Sequence, residues 1–220
     1  MPAAKRMRMA RSRRCSPRRI LACGAFAVAA SSVAALHVVR PDLAPVSRRL
    51  SEYANGPYSD LMLIAFTATG FGLLLLGRTV RREAAPWSTA ASSLLIGAGL
   101  GMAVSGAFKT DPAGLGTRAE VVHSAASGLA TFAIITAAGL RSVTPFLNRS
   151  GARRDVTAGA LGMVSIGLGA LSRPLHHTPW TGLSQRLLWL ALMAWLLRTA
   201  WTVEALPRHP TGRPDGSARR

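Results

Sequence analysis

The run LMLIAFTATGFGLLLLG, residues 61–77, carries no charged side chain and shows no strand-like alternation. A helix rises 1.5 Å per residue, so about 20 residues cross about 30 Å of hydrocarbon. In lipid every backbone amide must find its partner within the segment, which makes a helix the reading for such a run. Five further stretches read the same way: Ile20–Val39, Trp87–Phe108, Val121–Leu140, Val156–Leu171 and Leu183–Leu206. The expected fold is all-α, a polytopic membrane protein built as a six-transmembrane-helix bundle over residues 20–206. A basic cytoplasmic tail, 1–19, precedes it, and a Pro-, Gly- and Arg-containing tail, 207–220, reads as disordered. The mean hydropathy of +0.25 is modest because the two basic tails dilute the spans.

Charge sets the expected orientation. Twenty Lys and Arg residues fall in the N-terminal tail, the second and fourth connections, and the last helix with its tail. Seven fall in the first, third and fifth connections. The positive-inside rule then puts both termini in the cytoplasm of a cell-membrane protein. The net charge of +18 is topogenic on this reading and suits anionic lipid headgroups, so membrane lipids are expected partners and nucleic acid is not. Arg18-Arg19 before an apolar run resembles a secretory signal, but arginines stand where a lipoprotein box ending at Cys23 needs an apolar region. Retention of the first helix is expected. Cys15 and Cys23 are the only cysteines, and no disulfide is expected between them.

The groups able to do chemistry sort to the opposite face. Four of the five histidines and five of the nine carboxylates lie in, or about a turn from, the three outer loops. The first of these reads RPDLAPVSRRLSEYANGPYSD, residues 40–60. Val46, Leu50, Tyr53 and Ala54 recur at helical spacing, and Gly56-Pro57 would stop the helix. A short amphipathic helix in the outer interface is expected, with Tyr53 and Tyr58 at headgroup depth. In the third loop Asp111 follows the end of one span and His123 opens the next. In the fifth, Trp180 is an interface anchor, and Gln185-Arg186 opens the last span.

At these residues a resemblance emerges. His37…Arg40-Pro41-Asp42, Ser51-Glu52-Tyr53-Ala54…Gly56, Phe108…Asp111, His123 and Gly182…Gln185-Arg186 follow one another in the order seen in a six-span bacterial membrane family catalogued as domain of unknown function 998. The likeness covers about residues 20–206, with Lys109 departing from the pattern. It implies a six-helix fold and transfers no reaction.

Each candidate has two readings. His123, with Ser127 and Thr131 at i+4 and i+8, heads a polar stripe that either faces a wet cavity or hydrogen-bonds a neighbouring helix. Asp111 before Pro112 either orients His123 or caps a turn. Glu52 is a second acid or base, or the partner of Arg48 four residues earlier. Arg186 holds an anionic group or meets headgroups, and Gln185, Tyr53 and Ser51 would line the same binding site. Ser51 lacks a nucleophile elbow. Asp111, His123, Glu52 and His177 share a face, but there is no HExxH and no cysteine pair, so no metal is expected. No cofactor is expected either. Gly97-xxx-Gly101, Ala158-xxx-Gly162 and Ser165-xxx-Gly169 read as close helix packing. No Asp, Glu or Lys lies mid-span, which argues against an ion-coupled carrier, and Arg198 is near enough the inner end to reach the cytoplasm. Two functions remain. One is binding of a lipid or other amphipathic ligand, small molecule or peptide. The other is metal-free acid/base chemistry, proton transfer or hydrolysis, through His123 and Asp111. The oligomeric state is not legible.

Orientation is testable directly. Cysteines replacing Ser47, Gly116 and Thr178 should react with an impermeant thiol reagent in intact cells, and ones replacing Ser150 and Ser217 should not. Labelling at Ser217 would overturn the assignment.

Overall fold

The computed structural model describes residues 16–83, 87–111, 116–147 and 155–203. The two tails, Cys15 included, fall largely outside them. Six α-helices follow one another, with no strand among the described residues: α1 Pro17–Val39, α2 Ser59–Val80, α3 Ser88–Ala107, α4 Arg118–Leu147, α5 Val156–Ser172 and α6 Thr181–Thr202. Each apolar stretch has therefore become a helix. Four are long and apolar enough to cross a membrane: α1, α2, α3 and the Arg118–Val143 part of α4. The fifth is apolar but only 17 residues long. The sixth has 22 residues but includes Gln185, Arg186 and Arg198.

Each helix packs on the next in sequence, and α1 also packs on α6, so the row closes on itself. Phe26, Leu73, Leu95, Ile134, Trp195 and Leu196 fill the enclosed core. Lipid tails are as apolar as these side chains, so burial alone gives the helices little reason to associate. Close approach at small residues supplies the dispersion instead. Phe26 of α1 lies on Gly72 of α2, where an added Cβ would sit 2.6 Å from the ring. Gly70 and Gly99 face each other across α2 and α3, each added Cβ falling 2.8 Å from the other's carbonyl oxygen. Gly101 meets Ala126 and Ala130 of α4, while Gly162 meets Ser142 and Ala138. One expectation is corrected here. Of the pair Gly97 and Gly101, only Gly101 packs closely; an added Cβ at Gly97 meets nothing within 4 Å. The α2 contact belongs to Gly99, two residues on and so on a different face of the helix.

One end of the bundle is fastened by arginines. Arg141 pairs with Glu83, tying α4 to the chain after α2. Arg19 lies 4.3 Å over the Trp201 ring, joining α1 to α6. Arg198 does not simply extend toward water. It bonds Asp155 at 3.0 and 3.1 Å, and Asp155 also caps α5 by accepting from the Ala158 amide. Burial opposes ionisation of Asp155, but the Arg198 hydrogen bonds, with Ala158 and Thr202, outweigh it and hold its carboxyl below the ordinary value.

The glycine contacts give a contrast between two neighbours. Gly99→Ala forces a methyl against backbone, which no rotamer can relieve, and should cost about 1–3 kcal/mol. Gly97→Ala should be neutral or raise stability, by about 0.5–1 kcal/mol from helix propensity. Thermal unfolding in detergent distinguishes them; equal midpoints would contradict the packing described.

Candidate functional site

The opposite end carries the candidate residues, and the first loop organises it. Arg40, just past α1, bonds both Asp42 oxygens at 2.8 and 2.7 Å and donates to the carbonyls of Asn55 and Pro57. One side chain thus draws the two ends of the loop together. The same bonds hold the Asp42 carboxyl below its ordinary range. Between them Leu50–Ala54 forms a 3₁₀ helix (η1), shorter than the amphipathic helix expected, and Val46 is exposed ahead of it. Its start is fixed by Glu52, whose Oε1 accepts from the Arg49 amide at 2.9 Å while Arg48 and Arg49 lie at 3.4 and 3.7 Å. Leu50, Tyr53 and Ala54 pack against Val33 and Leu36 of α1 and Met62 and Ala65 of α2. Tyr58 is exposed, but Tyr53, expected at headgroup depth, is fully buried. The helix is short because the loop has other work to do. It crosses the start of α6, where the Leu183 amide donates to the Val46 carbonyl at 2.9 Å. The crossing is so close that a Cβ on Gly182 would collide with the carbonyl oxygens of Pro45, Val46 and Arg48.

Arg186 lies under this crossing and is only 8% exposed. Its Nε donates to His37 Nε2 at 2.8 Å, and its Nη1 donates to the carbonyls of Arg48 and Gly182 at 2.6 and 3.0 Å. The Tyr53 ring centre is 5.6 Å from the guanidinium carbon, and the His37 and Tyr53 rings are 5.1 Å apart. The tautomer of His37 follows from its partners. Nδ1 faces the Val33 carbonyl at 2.8 Å and must donate, which leaves Nε2 as the acceptor for Arg186 and the ring neutral. Gln185, the neighbour of Arg186, accepts from the Leu50 amide at 2.7 Å. Gln185, Arg186 and Tyr53 are therefore brought together with η1, as parts of one polar core. His37 opens the motif order that carries the family resemblance, but a histidine one turn from the end of an apolar helix gives no sign of this role and is not among the candidate site residues.

The third loop joins the same cap. Thr110 is buried, donates to the Ser51 carbonyl and accepts from Asn55, both at 3.2 Å. Arg49 reaches Glu120 of α4 at 3.5 Å, and Lys109 reaches Ser59 at 3.4 Å. Asn55, Thr110 and Glu120 were not singled out from sequence; only their position near a span end could have drawn attention to them. In the fifth loop, burial, with His177 and Arg49 close by, holds the His176 imidazole below its ordinary value. Beside it, Leu168, Leu171, Trp180, Leu183 and Leu187 line an apolar cleft of about 130 Å³ between α5 and α6.

His123 and Asp111 have separate partners. His123 is 2% exposed, and its Nδ1 lies 2.8 Å from the carbonyls of both Ser105 and Phe108. Two acceptors require Nδ1 to donate, so the ring fastens α4 to the end of α3, with its edge on Phe66. Asp111 accepts from the Thr117 amide at 3.1 Å and closes its own loop. No hydrogen bond or ion pair joins His123, Asp111 and Glu52 to one another among the described residues. Ser51 contributes its carbonyl to Thr110. No group of three or more His, Cys, Asp or Glu that could hold a metal ion occurs among the described residues. The arrangement sets a buried cation among neutral hydrogen-bonding groups and gives His123 and Asp111 separate local partners.

The family model described as "Protein of unknown function (DUF998)" matches residues 20–202, most of the chain, and the protein belongs to that family. No curated protein and no solved structure matches.

The separate partners lead to unequal outcomes for two substitutions. His123→Ala leaves two buried carbonyls without their donor and should lower stability by about 1–3 kcal/mol, with less protein in the membrane. Asp111→Asn keeps an oxygen for the Thr117 amide and should change stability by no more than about 0.5 kcal/mol. Melting in detergent and membrane abundance check both. Loss of a cellular phenotype in both variants at normal stability would favour catalysis by the pair.

Proposed function

We propose that this DUF998 member is a six-span cell-membrane protein, both termini cytoplasmic, that binds a lipid or other amphipathic ligand at its loop-capped outer end and does not transform it. Several observations support six spans. Arg186 and Arg198, the residues that most weaken α6 as a span, both have partners within the molecule. The 17 residues of α5 cover roughly 26 Å at the helical rise, close to a hydrocarbon thickness. If all six helices span, the three less basic loops share one end, and the twenty-to-seven count of basic residues favours that end as the outer one. There η1, with exposed Tyr58 just after it in the chain and exposed Trp180 at the start of α6, would sit at interface depth.

The observation that carries the binding reading is the convergence of Gln185, Tyr53 and η1 around the Arg186 guanidinium, which has no carboxylate partner among the described residues. An apolar cleft runs along the same helix at Leu183 and Leu187. A charged centre beside an apolar groove at a membrane surface is the pattern an amphiphile matches, polar head to one and tail to the other. Ser51 and Glu52 shape the site by holding η1. The alternative, acid/base catalysis through His123 and Asp111, has less support, because each of these side chains is occupied by a local partner.

A photoreactive alkyl-diazirine amphiphile applied to membranes should label peptides from residues 43–55 and 180–187 above all others, and unlabelled amphiphile should compete. Labelling spread evenly along the exposed faces of the helices would overturn the reading.

A further inference from the structure

Arg186 has five N–H hydrogens. Three are used, by His37, Arg48 and Gly182. The two on Nη2 have no hydrogen-bond partner among the described residues, although that atom is buried and the side chain is more than nine-tenths out of water. An orphaned buried donor costs about 1–3 kcal/mol, and more when the group is charged. The charge is met by dipoles and not by an opposite charge. Its neighbours are neutral: a histidine lone pair, two carbonyl dipoles and the face of Tyr53. The paired carboxylates of this end are engaged elsewhere, Asp42 with Arg40, Glu52 with Arg48 and Arg49, and Glu120 with Arg49. No carboxylate pairs with Arg186 among the described residues.

Could another cation serve as well? The bonding pattern fixes the guanidinium plane on three sides by backbone and by a histidine whose own tautomer is set by Val33. That leaves Nη2 as the one unpaired nitrogen of an otherwise immobilised group, buried in this structure, so that a ligand reaches it only as the first loop gives way. With Nε and Nη1 engaged, the two-nitrogen fork is not free, but a charged N–H donor away from water still favours an anionic oxygen, because charge strengthens the hydrogen bond. The environment excludes a freely hydrated ion less well than it welcomes one whose tail is already in the lipid, since Leu183 and Leu187 of the same helix line the apolar cleft.

We infer that the Nη2 edge of Arg186 is the headgroup site for an oxyanion, a carboxylate or a phosphate, carried by the amphiphile. This rests on the binding reading above and adds the charge and chemistry of the head. One proton-free contact completes it: an anionic oxygen accepts from Nη2, no bond breaks, and the buried charge is neutralised.

The test uses the full-length protein in a maltoside detergent, which carries no anion. Dodecanoate, dodecyl phosphate, dodecanol and inorganic phosphate are titrated separately against the thermal midpoint. At least one of the two anionic amphiphiles should raise the midpoint in a saturable way, at concentrations at least tenfold below any effect of dodecanol. Inorganic phosphate alone raising it equally well would identify a free ion as the ligand and remove the amphiphile from the account. Dodecanol acting as well as the anions would overturn the oxyanion head while leaving amphiphile binding intact. No response to any probe would defeat both, with Nη2 satisfied by water. Arg186→Lys retains the charge but not the guanidinium edge and should lose at least tenfold in apparent affinity. If that variant does not fold, the four wild-type titrations still decide the question. Gly97→Ala, distant in the fold, should respond as wild type.

Discussion

A guanidinium held out of water is the constraint on which one end of this molecule depends. A buried charge without compensation is expensive enough that the surrounding chain has to be built to answer it. Here the answer is assembled from four places in the sequence. His37 comes from α1, the Arg48 carbonyl and the Tyr53 ring from the first loop, and the Gly182 carbonyl from the preceding turn of α6. The first loop cannot wander while it supplies these groups. Its short 3₁₀ helix, the close crossing at Gly182 and the Gln185 bond to Leu50 all follow from that requirement. Through Thr110 and Glu120 the same loop then holds the third connection.

The arginines of the molecule are answered in two ways. Arg141 and Arg198 at one end, and Arg40 and Arg49 at the other, meet carboxylates, and those charges cancel locally. Arg186 meets dipoles, with no carboxylate at ion-pair distance among the described residues. The paired arginines fasten helices and loops to one another; on the reading proposed above, the unpaired one is where an anion would be held.

Much of the fold was legible because its signals are local. Apolar runs became helices within about four residues of their expected limits, except that α4 runs on past Leu140 to Leu147, and Gly162 and Gly169 packed as their spacing suggested. Residues of the site were harder to read. Gln185, Arg186 and Tyr53 were picked out from order and position, and they do meet. What spacing could not give is which partner each polar group finds across long separations. His37 and Arg186 are 149 residues apart, and His123 takes carbonyls of α3 that any sequence would supply there. A histidine bonded to backbone leaves no complementary side chain to be noticed. Tyr53 likewise carried the periodicity of an interfacial residue and instead entered the core, because η1 turns its apolar face onto α1 and α2.

The central claim is that Arg186 holds the first loop in place. Hydrogen exchange of the wild-type protein against Arg186→Gln tests it most directly. Amides of residues 48–55 should lose protection in the variant, while those of α2 and α3 around Gly70 and Gly99 keep theirs. Unchanged protection of the first loop, or a uniform loss across all the helices, would contradict the account.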